Sequence, residues 1–350
     1  MTRLPGPSLP VAPASLSPGD EALLSDLYRR GTPDNTLRAW ERDLVYITAW
    51  KQAAFGAPLD WPEAEPVALR FVLDHSVDLT AAAGPAREVA LVLIEAGLRR
   101  SLACPAPSTL DRRIASWRAF HRMKNLASPF EAPLIRQARS RARRAAARPR
   151  APKSAHPITR QVLEAMLKTC DHSHRGLRDR AVLMLGFASG GRRRSEIAGL
   201  NLADIDSREF AAKGLLRIRL LVTKTTGAEN APRLPLKGRA ARAVMDWIHA
   251  ARIEKGPLFR PISQADRPLP RRLSADGIRQ IVLHCLDLAG YPPGFASPHG
   301  LRSGFLTQAA LDGAPLPAAM QLSLHRSPAQ AQRYYADVEI EENPATDLLG

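Results

Sequence analysis

Cysteine is scarce in this chain and does not cluster: Cys104, Cys170 and Cys285 are the whole set, with no C-x-x-C pair. That excludes a thiolate zinc site and a disulfide framework, and it fits a reducing compartment. No apolar run approaches the ~20 residues that span a bilayer. The start, M-T-R-L-P-G-P-S-L-P-V-A-P, is broken by prolines and lacks the apolar centre of a signal peptide. A cytoplasmic protein with no membrane partner is expected. The sequence has neither a glycine-rich phosphate loop nor a carboxylate cluster for a metal, so no cofactor and no metal are expected. Acidic residues are outnumbered: 34 Asp plus Glu face 50 Lys plus Arg, a formal charge of +16. A surface of that sign attracts polyanions, nucleic acid foremost, although an arginine-rich composition also follows from a GC-rich genome.

At 350 residues there is room for two domains. Residues 1–19, rich in Pro, Ser and Ala, are expected to form a disordered tail. In N-T-L-R-A-W-E-R-D-L-V-Y-I, Asn35 is the expected N-cap, Leu37, Trp40, Leu44 and Ile47 recur at helical spacing, and Gly56 stops the helix. A second helix fits 86–98, and a third starts at Ser108, with Asp111 completing a capping-box-like pattern. On the third, Leu110, Ile114 and Trp117 line one side, and Arg112, Arg113, Arg118, Arg122 and Lys124 occupy much of the rest. Such a face is either solvated or laid against DNA. In 131–155, Arg136, Arg139, Arg141, Arg143, Arg144, Arg148, Arg150 and Lys153 are opposed by Glu131 alone, and Pro133, Pro149 and Pro152 interrupt. The stretch reads as a basic linker, part helical, suited to tracking a phosphate backbone.

A second domain begins near His156. Thr159 is expected to cap a helix that turns Leu163, Met166 and Leu167 inward, and a buried helix ends at Gly190–Gly191. Leu216, Ile218, Leu220 and Val222 then alternate with Arg217, Arg219 and Leu221, as in a strand. T-T-G-A-E-N turns the chain, and Pro235 in R-L-P-L marks the return strand as an edge. A further amphipathic helix puts Ile278, Ile281, Val282 and Cys285 inside and closes at Gly290. The expected fold is mainly α with a small antiparallel sheet.

Chemistry concentrates near the C-terminus, in S-P-H-G-L-R-S, L-H-R-S and Q-R-Y-Y. Ser297 and Pro298 read as an N-cap and first helical turn, which puts His299 and Arg302 on one helix face. An H-x-x-R match alone is weak: His172–Arg175 and His249–Arg252 match it too. The informative feature is the order G-G-R-R-R-S-E-I, V-T-K-T, H-G-L-R, then His325 with Tyr334 nine residues on. An imidazole, guanidinium groups and a phenol in this order suggest a phosphodiester clamp with a tyrosine nucleophile.

This ordered set resembles the tyrosine recombinases, the phage-integrase family. The resemblance implies an N-terminal helical core-binding (SAM-like) domain over 20–130, a linker over 131–155, an α+β catalytic domain over 156–340 and a tail over 341–350. The G-L-R-I-S-E pattern of that family falls on Gly191 to Glu196, making Arg193 the clamp arginine, with Arg192 and Arg194 as rivals. Glu196 is then either an acidic support for the site or an ordinary helix salt bridge. Lys224 matches the hairpin lysine, His299 and Arg302 the H-x-x-R pair, His325 the later histidine and Tyr334 the nucleophile, with Tyr335 as a packing residue and rival. Two departures stand out: Leu324 replaces the glycine of Leu-Gly-His, and Ser303 follows the arginine where histidine is common. The resemblance implies site-specific DNA recombination or integration through a 3′-phosphotyrosyl intermediate, without metal. The implied partners are double-stranded DNA, a homotetramer on paired sites and accessory DNA-bending proteins. Arg112, Arg113, Arg118, Arg141, Arg143 and Arg144 are the expected DNA contacts. The other readings are an idle DNA-binding protein of the same fold and a type IB topoisomerase.

Overall fold

Apolar side chains at three- and four-residue spacing fold most of the chain as helices. The computed structural model describes residues 18–146, 154–220, 231–325 and 327–341, and the chain divides into two units, Met1–Pro149 and Arg150–Gly350. Lys224 with its T-T-G-A-E-N turn, Val222, the basic Arg148, Arg150 and Lys153, and both chain ends lie outside the described residues. Among the described residues no helix is long and apolar enough to cross a membrane.

The first unit contains α1 (Pro18–Gly31), α2 (Asp34–Phe55), α3 (Glu65–Asp74), α4 (Pro85–Glu95), α5 (Pro107–Met123) and α6 (Pro133–Ala145). Its core joins Ile47 and Trp50 of α2 to Phe71, Leu93, Ile114, Trp117 and Ile135. The Trp50 ring stands edge-on to Phe71 at 4.8 Å, an arrangement the ring quadrupoles favour. The basic stretch expected to link the domains thus contains a helix anchored in this core by Ile135.

Three local expectations shift. α2 starts at Asp34 and not after Asn35, because Pro33 takes the N-cap position and its carbonyl accepts the Thr36 and Leu37 N–H groups at 2.8 and 3.1 Å. α5 starts at Pro107, a residue whose fixed φ suits the first helical position, so Ser108 is no cap. Asp111 instead receives Arg139 and Arg143 of α6 at 3.1 and 2.9 Å. The buried stripe of α2 also differs: Leu37, Trp40 and Leu44 are half-buried, while Asp43, Tyr46 and Lys51 go inside with Ile47 and Trp50. The charges are tolerated because they are paired. Lys51 donates to both oxygens of Glu63 at 2.9 and 2.8 Å, and Asp43 accepts from Ser116 at 2.7 Å and from Arg112. The basic face of α5 is also partly committed internally. Arg113 stacks 3.2 Å from the Tyr46 ring centroid and Arg118 pairs with Glu131, whereas Arg141 and Arg144 of α6 are exposed.

The second unit contains α7 (Arg160–Lys168), α8 (His174–Ala188), α9 (Arg194–Gly199), β1 (Ile205–Asp206), α10 (Phe210–Lys213), β2 (Leu215–Arg219), β3 (Arg233–Lys237), α11 (Gly238–Ala250), α12 (Ala275–Leu288), α13 (Gly300–Leu311), α14 (Leu316–Ser323) and α15 (Pro328–Glu341). The sheet runs β1-β2-β3, antiparallel throughout, with Ile218 opposite Ile205 and Leu234. Leu216, Ile218 and Leu220 face the core, and Pro235 sits in the edge strand β3, where a missing N–H costs no ladder bond. The two-residue β1 has no sequence signature. Buried Leu185, Val244, Trp247, Val282 and Leu301 tie α8, α11, α12 and α13 into one core.

His75, in the first unit, donates Nδ1–H to the Phe71 carbonyl and accepts from the Tyr46 hydroxyl, both at 2.7 Å. Burial, aided by Arg113 and Arg99, pushes its pKa from 6.5 down to about 3. The unfolded chain therefore takes up a proton that the fold resists. This contribution to stability is complete above about pH 6.5 and drains away as pH falls toward 3. Thermal unfolding followed between pH 7 and 4 should show a declining midpoint, and the decline should be shallower in His75→Gln.

Candidate active site

α8 ends at Ala188 and the chain turns through Gly190 and Gly191, with φ of 99° and 69°. Neither position admits a side chain. A Cβ on Gly190 would stand 2.2 Å from the Leu322 carbonyl oxygen, and one on Gly191 2.3 Å from Arg302 Cα. The turn is therefore pressed against α13 and the end of α14, and it delivers Arg192 and Arg193 between them. Arg193 occupies the N-cap position of α9. The buried Glu196 accepts from the Arg193 backbone N–H at 3.1 Å and from its Nη1 at 2.5 Å, a position in the first helical turn that favours a carboxylate.

The helix expected from Pro298 starts later, at Gly300, and His299 itself is the N-cap residue. The Ser297 hydroxyl accepts the His299 N–H at 3.2 Å, so it caps a turn and not the helix. Gly304 lets α13 lie directly on the chain before α7, since a Cβ there would meet the Ile158 carbonyl oxygen at 1.9 Å. Arg302 follows in the first turn of α13, only 3% exposed, and Nη1 donates to the Gly191 carbonyl at 3.2 Å. Burial, then Arg192 and Arg193, push its pKa down to about 10, so it stays charged at neutral pH.

Past α14, Leu324 adopts the left-handed conformation (φ 54°, ψ 41°) that a glycine would take without strain. The leucine keeps the turn at a cost of about 1–2 kcal/mol. The turn presents His325 to Arg302, whose Nε–H donates to Nε2 at 3.3 Å. Burial and then Arg302 lower the His325 pKa to about 4, leaving the ring neutral at pH 7. Arg302 Nη2 also lies 3.2 Å from Nδ1, which the Ser323 hydroxyl meets at 2.8 Å. Both ring nitrogens of His325 thus lie within hydrogen-bonding distance of Arg302, and Nδ1 also of Ser323. On α15, Tyr334 Oη lies 3.3 Å from His299 Nε2. Tyr335 points elsewhere, buried with Leu306 and Ala319, its hydroxyl donating to the Ala314 carbonyl at 3.1 Å.

Arg193, Glu196, His299, Arg302, His325 and Tyr334 are thereby gathered from four separate segments, while Lys224 lies outside the described residues. Beside them is a cavity of about 290 Å³, lined by Arg192, Arg193, Arg194, Arg279, Arg302, Ser297, Pro298 and His299. Both rivals of Arg193 line it. The Arg192 side chain is 1% exposed against 40% for Arg193, and Arg194 lies 3.7 Å from Asp276. Arg279 escaped the sequence reading because nothing local separates the one arginine of α12 from the many others in the chain.

The fold and this cluster define a class of enzyme, the tyrosine recombinases, which break and rejoin DNA. The phage integrase family model matches residues 157–341, more than half of the chain, and the chain belongs to that family. An integrase/recombinase xerD homolog of Selenomonas ruminantium is 26% identical over 330 residues, covering 90% of this chain and 85% of that protein. Tyrosine recombinase XerD of Xanthomonas axonopodis pv. citri is 31% identical over 51% of this chain, and XerC of Pelobacter propionicus 34% identical over 49%. The chain spans 57% and 51% of those two relatives. Among solved structures, the Tn1549 transposon integrase in complex with transposon right end DNA is 16% identical, with a TM-score of 0.56 over 92% of this chain and 98% of that one. XerH site-specific recombinase bound to palindromic difH substrate is 12% identical, with a TM-score of 0.52 over 93% and 84%. At these identities the likeness is one of fold.

The glycine turn can be tested directly. Gly191→Ala should lower the stability of the chain in urea unfolding by at least about 2 kcal/mol, from left-handed strain plus the clash with Arg302. Gly199→Ala, at a helical position with nothing within 4 Å of the added carbon, should be neutral or slightly stabilising.

Proposed function

We propose that this recombinase cleaves DNA at specific sites with Tyr334 as nucleophile, forming a 3′-phosphotyrosyl intermediate and a free 5′-hydroxyl. The observation that carries the reading is the 3.3 Å contact between Tyr334 Oη and His299 Nε2 beside the buried guanidinium of Arg302. A phenol is a poor nucleophile at neutral pH unless its proton is accepted as it attacks. His299 takes that proton. Attack at phosphorus builds charge on the non-bridging oxygens, and Arg193 and Arg302 each offer a fork of donors to them. Glu196 holds Arg193 in place, and His325 does the same for Arg302. Lys224, by its position in the motif order, donates the proton to the leaving 5′ oxygen. The 5′-hydroxyl of a second strand then attacks the phosphotyrosine, so the phosphodiester energy is conserved and no nucleotide is consumed.

The DNA backbone is held by the basic surface of the first unit, with the exposed Arg141 and Arg144 as its strongest candidates and Arg112, Arg118 and Arg143 beside them. Arg113, stacked on Tyr46, contributes least. The protein works in the cytoplasm as a homotetramer on paired sites, aided by accessory DNA-bending proteins.

Nicked duplexes tiled across the DNA flanking the gene supply the test. The full chain should form a covalent adduct with the duplex that contains its site. Tyr334→Phe should form none, Tyr335→Phe should still react, and Arg302→Ala should react about 10²–10³ more slowly. The opposite pattern for the two tyrosines would move the nucleophile to Tyr335. Binding measured over a salt series should weaken linearly in log–log form, as counterion release requires, and a flat response would contradict a phosphate-dominated grip.

A further inference from the structure

Arg192 is the member of the cleft that stability does not explain. Its Nη2 donates to the Leu322 carbonyl at 2.7 Å and to the Gly190 carbonyl at 3.2 Å. Its Nε and Nη1 are buried without a hydrogen-bond partner among the described residues, and the carboxylate of Glu196 stands 3.7 Å from Nη1. Burial pushes its pKa down to about 10, which leaves it charged at neutral pH. A buried guanidinium with unpaired N–H groups serves the fold less well than an apolar side chain of similar length. The G-L-R-I-S-E pattern has leucine at this position.

What Arg192 does touch is informative. Leu322 lies in the last turn of α14, immediately before Ser323, the left-handed Leu324 and His325. The other end of the bond is the turn that carries Arg193. We propose that Arg192 is a positioning residue for strand cleavage: it ties the end of α14, and with it the His325 turn that leads into the Tyr334 helix, to the turn bearing Arg193. The tether runs to a main-chain carbonyl, so it sets the position of the segment independently of any other side chain on α14. Gly190 makes it possible, because its missing Cβ brings the two backbones close enough for a single guanidinium to span them.

This inference rests on the recombinase reading above and is tested with the same nicked duplexes, using the one that the unaltered chain cuts. Arg192→Met removes the charge and the donors at nearly constant length, and Arg192→Lys keeps the charge with one donor group. The Met variant should be at least as resistant to heat and urea as the unaltered chain and should still saturate with the duplex. Its adduct formation at saturating DNA should nevertheless be about 10–100-fold slower, the penalty expected from small misplacement of reacting groups. The Lys variant should recover part of that rate. A Met variant that reacts at full rate would overturn the proposal. So would one whose stability and rate fall together with no recovery in Lys, since that is the behaviour of a purely structural residue. If the unaltered chain forms no adduct on any duplex, the recombinase reading itself fails, an outcome separate from either result on Arg192.

Discussion

The site depends on a backbone approach that only glycine permits. Gly190 and Gly191 bring the end of α8 against Leu322 and Arg302 so closely that a methyl group at either would overlap main-chain atoms. From that approach follow the Arg302 bond to the Gly191 carbonyl, the Arg192 bond to Leu322, and the placing of Arg193 at the head of α9. Interiors pack too densely for such a contact to be approximate, so the turn determines how α9, α13 and α14 stand around the cleft.

Around this turn the chain concentrates positive charge that it only partly neutralises. Arg192, Arg193 and Arg302 stand near the carboxylate of Glu196, and burial, then repulsion among the arginines, lowers the pKa of Arg192 and Arg302 to about 10. A site of this charge suits a reaction that gathers negative charge at phosphorus. Burial, and after it the charge of Arg302, keep the neighbouring His325 ring neutral. In the first unit, burial of like severity is met differently. Asp43, Lys51 and Glu63 find partners in the core, leaving α6 with the exposed arginines.

Much of this was legible along the chain. Helical spacing located α2, α7, α8 and α12, period-two alternation located β2, and Pro235 marked β3 as an edge. Element starts were less legible. Pro33 and Pro107 displaced the polar caps expected at Asn35 and Ser108, since a residue with fixed φ competes with a side-chain hydrogen bond for the same role. The charged face of α5 read as either solvated or laid against DNA, yet Asp43 and Glu131, distant in sequence, hold two of its arginines.

By itself the sequence determined the class of chemistry. His299, Arg302, His325 and Tyr334 stand in a fixed order, and residue type alone dictates which can accept protons, clamp oxygens or attack. Order along a chain carries no distances, so only the tertiary structure decided which tyrosine meets an imidazole and which arginine goes inside. Tyr334 and Tyr335 are neighbours whose side chains leave α15 in different directions, one to His299 and the other to the Ala314 carbonyl. Arg192 and Arg193 are neighbours in a glycine turn, one buried against Leu322 and the other half open to the cleft. In each pair the choice was made by segments more than ten residues away, through packing that no local pattern encodes.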